Sequence, residues 1–202
     1  MHMAISGIVL AAGAASRMGR NKLLLELEGE TLLHRAARRA IEAGLDPVLV
    51  VLGHEADLAL RALEGLDCRP VVNPAHGQGM NTSLSAGVLA VAAAAEAAVA
   101  ILADMPFVEA AMIRAVVERW RETGAPVVAS RYGTVVAPPT LYARSLFPLL
   151  VGGAGEGRGR QVVRAQGERA SFVDWPPEAM TDLDVAEDLE RARARVGARS
   201  GA

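Results

Sequence analysis

The residues most able to do chemistry sit in one short loop, Gly13-Ala14-Ala15-Ser16-Arg17-Met18-Gly19-Arg20-Asn21-Lys22. Small residues let a ligand approach the backbone closely, and N–H groups freed by such a loop can face anionic oxygens. Arg17 and Lys22 then supply the charge that amides lack, so the loop reads as a phosphate cradle. The chain has twenty arginines and a single lysine, Lys22, out of its 21 basic residues. A generic surface cation is written here as Arg, which singles out Lys22. A lysine ammonium is a compact point charge on a flexible stem, suited to a phosphate whose oxygens move during reaction.

Carboxylates form the second set. Asp104 follows an apolar run and precedes Met105-Pro106, which places an acid at the mouth of a strand where it can hold Mg²⁺ against phosphates. A second acid is expected late in the chain, at Asp182 or Asp184; capping of the last helix is an equal reading for Asp184. Between these sets lies Asn73-Pro74-Ala75-His76-Gly77-Gln78-Gly79-Met80-Asn81-Thr82-Ser83-Leu84. Its glycines permit a close approach by a nucleotide, while Asn73 and Ser83 can hydrogen-bond to ribose or base. A turn and a helix N-cap at Asn81 or Thr82 can coexist with binding. His54 and His76 lack metal-type spacing and read as loop residues.

These groups need elements to position them. Ile8 to Ala12 reads as a buried strand, and a helix follows from about Thr31 to Ala43, ended by Gly44. Strands are expected at 48–52, 68–72, 98–103 and 126–130, with helices at about 56–63, 82–95 and 109–123. Alternating strands and helices predict an α/β fold, Rossmann-like, with a mostly parallel sheet in three α/β/α layers. In such sheets ligands bind outside the carboxyl ends of the strands, where the Leu10 loop, His54, Asn73 and Asp104 all fall. Residues 132–139 read as irregular, followed by a short helix near 143–150, a Gly-rich loop 152–157, a helix at 158–166, a strand near 171–173 and a last helix at 185–195. The expected organisation is a single domain over 1–202, with a nucleotide-binding part at 5–130 and an acceptor-binding part at 131–192.

A chain of 202 residues, 51% hydrophobic with a net charge of −2, is long and apolar enough for a substantial core. The balance of charge argues against nucleic-acid or membrane-surface partners. The apolar residues 5–15 have no preceding Lys or Arg, so a core strand is read there in preference to a secretory signal. One cysteine, Cys68, allows no internal disulfide and suits a cytoplasmic location. No GxSxG elbow, Walker A loop or three-glycine dinucleotide fingerprint is present, which leaves acyl transfer and hydride transfer without a motif.

The opening loop resembles the LAAGxSxRMGxxK signature of the MobA-like nucleotidyltransferases, with Gly13, Arg17, Met18, Gly19 and Lys22 in register and Ala15 where the signature has Ser. The four residues between Arg17 and Lys22 fit the molybdopterin branch, because the sugar-phosphate and methylerythritol branches place more residues there. Leu102 to Pro106 resembles the family's metal-binding segment, and Asp182 to Leu189 its DIDTPEDL segment, with Val185-Ala186 replacing Thr-Pro. The segment 73–84 resembles NPxxxxGMxxSL. Residues 155–160 resemble GDxGAR, with Glu156 for Asp and Arg158 where Gly is usual. The resemblance implies catalytic Arg17 and Lys22, and nucleotide binding by Leu10, Ala11, Ala12, Gly13, Asn73, Gly79 and Ser83. It also implies Mg²⁺ on Asp104 and Asp184, with acceptor contacts from Arg160 and Asp182. The implied reaction moves a nucleoside monophosphate from an NTP to the phosphate of molybdopterin. A second Ala in the loop, Ala12, goes with CTP, whereas a second Gly goes with GTP. Molybdoenzymes or their chaperones are the implied downstream partners. A sugar-phosphate acceptor and a non-catalytic nucleotide-binding module stand as alternatives.

Overall fold

The computed structural model describes residues 4–13 and 21–180. The expected last helix, Arg17, Asp182 and Asp184 lie outside the described residues. The chain runs β1 (Ile5–Ala11), β2 (Glu26–Leu27), β3 (Glu30–Thr31), α1 (Leu32–Glu42), β4 (Val48–Leu52), α2 (Ala56–Ala62), β5 (Arg69–Val72) and α3 (Met80–Ala90). It continues through β6 (Ala97–Leu102), α4 (Ala110–Thr123), β7 (Val127–Tyr132), β8 (Val135–Ala143), α5 (Phe147–Leu150), α6 (Arg158–Gln166) and β9 (Ala170–Trp175).

Seven strands form one sheet in the order β5-β4-β1-β6-β8-β7-β9. Neighbours pair in parallel except β8, which runs antiparallel to both β6 and β7. Period-two alternation sends the strand residues to two cores. Val9, Ala11, Val50 and Leu52 pack on the side of α1 and α4, whereas Ile8, Ala12, Leu49 and Val51 pack on the side of α3, α5 and α6. A mostly parallel sheet with both faces covered is the architecture the sequence predicts.

Three local expectations change. The helix expected at 82–95 begins at Met80 and stops at Ala90, although the alanines beyond it are good helix formers. The Arg144 guanidinium donates to the carbonyl oxygens of Ala92 and Ala95, holding that stretch as a turn and overriding propensity. The region read as irregular around 132–139 contains most of a nine-residue strand, β8, which runs through Pro138-Pro139. The pairing explains how a central strand tolerates two prolines. β6 pairs with β8 only up to Thr140, and the β7 register jumps from Ala129↔Thr140 to Ser130↔Ala137, so both prolines fall in a bulge where no ladder donor is needed. The helix expected at 143–150 is a 3-10 turn over Arg144–Leu146 followed by the short α5.

Candidate active site

The carboxyl ends of β1 and β6, neighbours at the centre of the sheet, open into a cleft. One half, a cavity of about 370 Å³, is lined by Leu10, Ala12 and Gly13 from β1 and its loop, together with Lys22, Gly79, Ser83 and Asp104. The other half, about 350 Å³, lies between β8 and α6 and carries Thr140, Tyr142, Arg158 and Arg160. Leu10, Met80, Leu102 and Glu156 line both halves, so the two cavities adjoin.

Lys22 and Asp104 meet in the first of these cavities. Lys22 Nζ donates to Asp104 Oδ2 at 2.7 Å, and both side chains are only partly exposed, 19% and 24%. Local sequence explains each position. Asn21, itself buried, caps a 3-10 turn at Lys22–Leu24 by accepting from Leu23 N at 3.1 Å, and Leu23 anchors the turn in the core. Asp104 follows β6, where Ala103 N donates to Leu10 O at 3.2 Å, and Met105, Phe107 and Val108 bury the turn behind it.

Gly79 and Gly53 are fixed by close approach. At Gly79, with φ +108°, an added Cβ would stand 2.5 Å from Gly155 O, so this position joins the segment before α3 to the Gly-rich loop. At Gly53 a Cβ would stand 2.5 Å from the His76 Cβ and 2.9 Å from that of Ala12. Ala12, Gly53 and His76 therefore build one tight wall, and the Ala12 methyl is part of it.

The Gly-rich loop is held by two exchanged caps. Asn81, buried at the start of α3, accepts from Arg158 N at 2.9 Å, the first residue of α6, and donates to Ala154 O at 3.1 Å. In return Glu156 accepts from Met80 N at 2.9 Å, the first residue of α3. A carboxylate at that terminus also matches the helix dipole. Asn81 thus caps α6, whereas the sequence places it as a cap of its own helix.

Leu10, Ala12, Gly13, Lys22, Gly79, Ser83 and Asp104 come together in one cavity, and Arg160 lies in the adjoining one. Two further residues expected to bind nucleotide, Ala11 and Asn73, are not among those lining this cavity. Ala11 turns into the core on the α1 side, because the strand alternation that sends Ala12 to the cleft face sends its neighbour to the other. Asn73 is 4% exposed and its amide is committed to the protein. It donates to Thr82 Oγ1 at 2.9 Å and Ser83 Oγ at 3.0 Å, and accepts from Ala75 N at 3.0 Å. Its role in this geometry is to fix the loop and the Ser83 hydroxyl. The structure adds His76, Met80, Glu156 and Tyr142 to the lining. Glu156 and His76 lie in segments that the sequence already marks, but nothing in spacing alone aims them at the cleft. Burial pushes the Tyr142 phenol up from its ordinary value, more than a hydrogen bond with Thr140 draws it back, so it stands neutral in the second cavity. Among the described residues no group of three or more His, Cys, Asp or Glu could hold a metal.

A cleft at the switch between β1 and β6, lined by a cation–carboxylate pair, lies where α/β proteins of this topology bind their ligands. The sequence matches the MobA-like NTP transferase domain over residues 7–170, and the chain belongs to that family. A probable molybdenum cofactor guanylyltransferase of Chloroflexus aggregans is 30% identical over 98% of this chain and 97% of its own. Another, from Opitutus terrae, is 43% identical over 109 residues, which span 54% of this chain and 52% of that protein. Among solved structures, Rv0371c of Mycobacterium tuberculosis superposes with a TM-score of 0.85 at 25% identity, covering 96% of this chain and 100% of its own. A second structure of that protein holds manganese, with a TM-score of 0.78 at 26% identity over 95% of this chain and 99% of its own.

Proposed function

We propose that this chain transfers a nucleoside monophosphate from an NTP to the terminal phosphate of a molybdopterin-type acceptor, releasing pyrophosphate. The observation that carries this reading is the pair of adjoining cavities with Lys22 and Asp104 lining the nucleotide half. The triphosphate lies against the backbone after β1, and the acceptor lies between β8 and α6. An acceptor phosphate oxygen attacks the α-phosphorus in line; a new P–O bond forms as the bond to the β-phosphate oxygen breaks, and pyrophosphate leaves with that electron pair. A phosphate monoester is largely ionised near neutral pH, so the nucleophile needs no protein base. Backbone amides and the Lys22 ammonium orient the chain of phosphates and offset charge that grows on the leaving oxygen. Arg17 is the second cation of this scheme, and Arg160 and Asp182 serve the acceptor.

The donors present suit Mg²⁺. Asp104 offers a carboxylate to the cavity, and magnesium takes one or two carboxylates beside phosphate oxygens and water. Asp104, with Asp184 as its partner, would hold it. Bound there, the ion would neutralise the triphosphate and supply Lewis-acid polarisation at phosphorus. The manganese complex of Rv0371c supports a divalent cation in this fold.

For the base, CTP is favoured because the Ala12 methyl, wedged against Gly53 and His76, narrows the wall of the nucleotide cavity toward a smaller pyrimidine. The relatives named as guanylyltransferases favour GTP as the second reading. Pyrophosphate release with Mg²⁺ and molybdopterin, run side by side with CTP and GTP and then with a panel of sugar phosphates, tests the proposal. Release with CTP and molybdopterin is the expected result. Release only with GTP overturns the base assignment, release only with a sugar phosphate overturns the acceptor, and nucleotide binding without any release identifies a sensor module.

A further inference from the structure

Arg35 and Arg39 lie one turn apart on α1, 6% and 8% exposed, and they are the charged residues among the described side chains that the core encloses. Arg35 Nη2 donates to Leu27 O at 2.8 Å and to Glu28 Oε2 at 2.8 Å. Leu27 belongs to the small β2–β3 ribbon directly after the Lys22 turn, and the backbone between is tied down by Leu25 N donating to Lys22 O and Leu32 N donating to Leu25 O, both at 3.1 Å. Arg39 Nη1 donates to both Pro106 O and Val108 O at 2.8 Å, and Nη2 donates to Glu109 Oε1 at 3.0 Å. Pro106 and Val108 belong to the turn that follows Asp104. One face of α1 therefore reaches the segment just after each member of the Lys22–Asp104 pair, although those two residues are 82 positions apart in sequence.

This use of two arginines is costly for stability alone. Burial draws the Arg39 guanidinium down from its ordinary value, more than Glu109 restores. Apolar side chains of similar volume commonly stabilise a core as well as buried charges do. What a guanidinium adds is direction: a planar fork with fixed donors that can hold two carbonyl oxygens at once.

We propose that Arg35 and Arg39 are positioning residues, a two-armed clamp on α1 that sets the separation of Lys22 and Asp104 in the cleft. The clamp deepens the nucleotidyltransferase reading and, for its effect on turnover, rests on it. Neither arginine lines the nucleotide cavity, so neither is a catalytic residue.

The test uses the fact that Lys22 is the only lysine. Acetylation of Lys22 by acetic anhydride, followed by mass spectrometry with the α-amino group as internal reference, reads the freedom of its ammonium without any substrate. Arg39→Met is expected to raise the relative rate about threefold to fivefold, the factor that corresponds to losing a partly exposed ion pair. Asp104→Asn gives the reference for a broken pair, and Arg39→Lys, which keeps one donor arm, should fall between Arg39→Met and the wild type. Leu150→Ala, a cavity in the opposite core, controls for general loosening and should leave the rate unchanged although it lowers the melting temperature. In pyrophosphate release, Arg39→Met should lower kcat and raise the Mg²⁺ requirement while the nucleotide KM changes little. A folded Arg39→Met with wild-type Lys22 reactivity overturns the clamp, as does an equal rise in Leu150→Ala. If the wild type releases no pyrophosphate with any acceptor, the function fails while the acetylation ratio still decides the clamp.

Discussion

Substituting Lys22→Ala should separate turnover from stability. The Lys22 Nζ–Asp104 Oδ2 bond is short, 2.7 Å, but its members are 19% and 24% exposed, so the pair stands between the surface and buried limits. Its contribution to folding is of order 1 kcal/mol, which for a chain of this size corresponds to roughly 2–4 °C in melting temperature. The kinetic effect should be much larger. In the proposed reaction the ammonium in the cavity acts on charge that develops at the phosphates in a partly enclosed site, and removing one such preorganised donor costs about 10² to 10³ in kcat. Measured by pyrophosphate release with saturating nucleotide, Lys22→Ala should therefore lose two to three orders of magnitude in turnover while its thermal unfolding shifts by only a few degrees. In the proposed binding mode the triphosphate also rests on the backbone after β1, so nucleotide KM should rise far less than kcat falls. Near-normal kcat in a folded Lys22→Ala protein would refute the assignment of Lys22 to the reaction. A collapse of stability without a separable kinetic loss would reassign it to structure.

Three further outcomes follow from the geometry. Ala12→Gly removes the methyl wedged against Gly53 and His76, and should raise the ratio of kcat/KM for GTP over CTP by about tenfold, the lower range for one methyl in a pocket; an unchanged ratio removes Ala12 from base selection. Asn81→Ala deletes the bonds to Arg158 N and Ala154 O, worth about 2 kcal/mol together, and should raise acceptor KM more than nucleotide KM; equal changes in the two would show that the Gly-rich loop does not serve the acceptor half alone. Glu30 is held at a pKa of about 2 against an ordinary 4.5, chiefly by the bond from Arg38, with His34 adding to it against the opposing effect of burial. Its folded-state value is depressed, so its contribution is present above about pH 4.5 and disappears as pH falls toward 2. Glu30→Gln should accordingly melt below wild type at pH 7 and coincide with it near pH 2; a constant difference across that range would contradict the linkage.

Among the described residues no helix is long and apolar enough to cross a membrane. Cys68 is a free thiol just before β5, only partly buried, and that burial pushes the thiol up from its ordinary value.

The sequence alone determined the alternation of strands and helices and the positions of the loops after them, because those follow from local periodicity and from glycine and proline chemistry. It also singled out Lys22 as the one lysine, Asp104 by its place between an apolar run and Met105-Pro106, and Gly79 within its glycine-punctuated segment. The tertiary structure decided what depends on partners distant in the chain. Asn73 is expected at the nucleotide, and only the fold shows its amide bonded to Thr82, Ser83 and Ala75. Asn81 and Glu156 read as a local cap and a motif variant until α3 and α6 are seen to exchange them. Strand β8 is hidden in sequence by two prolines, and only the register of its neighbours shows that they sit in a bulge. Nothing in the sequence marks Arg35 and Arg39, and they are buried because the turn after Asp104 and the ribbon after Lys22 close over them. A side chain's local preference is written in its own neighbourhood, whereas the use of its hydrogen-bonding groups is set by whichever distant segment the fold brings within reach.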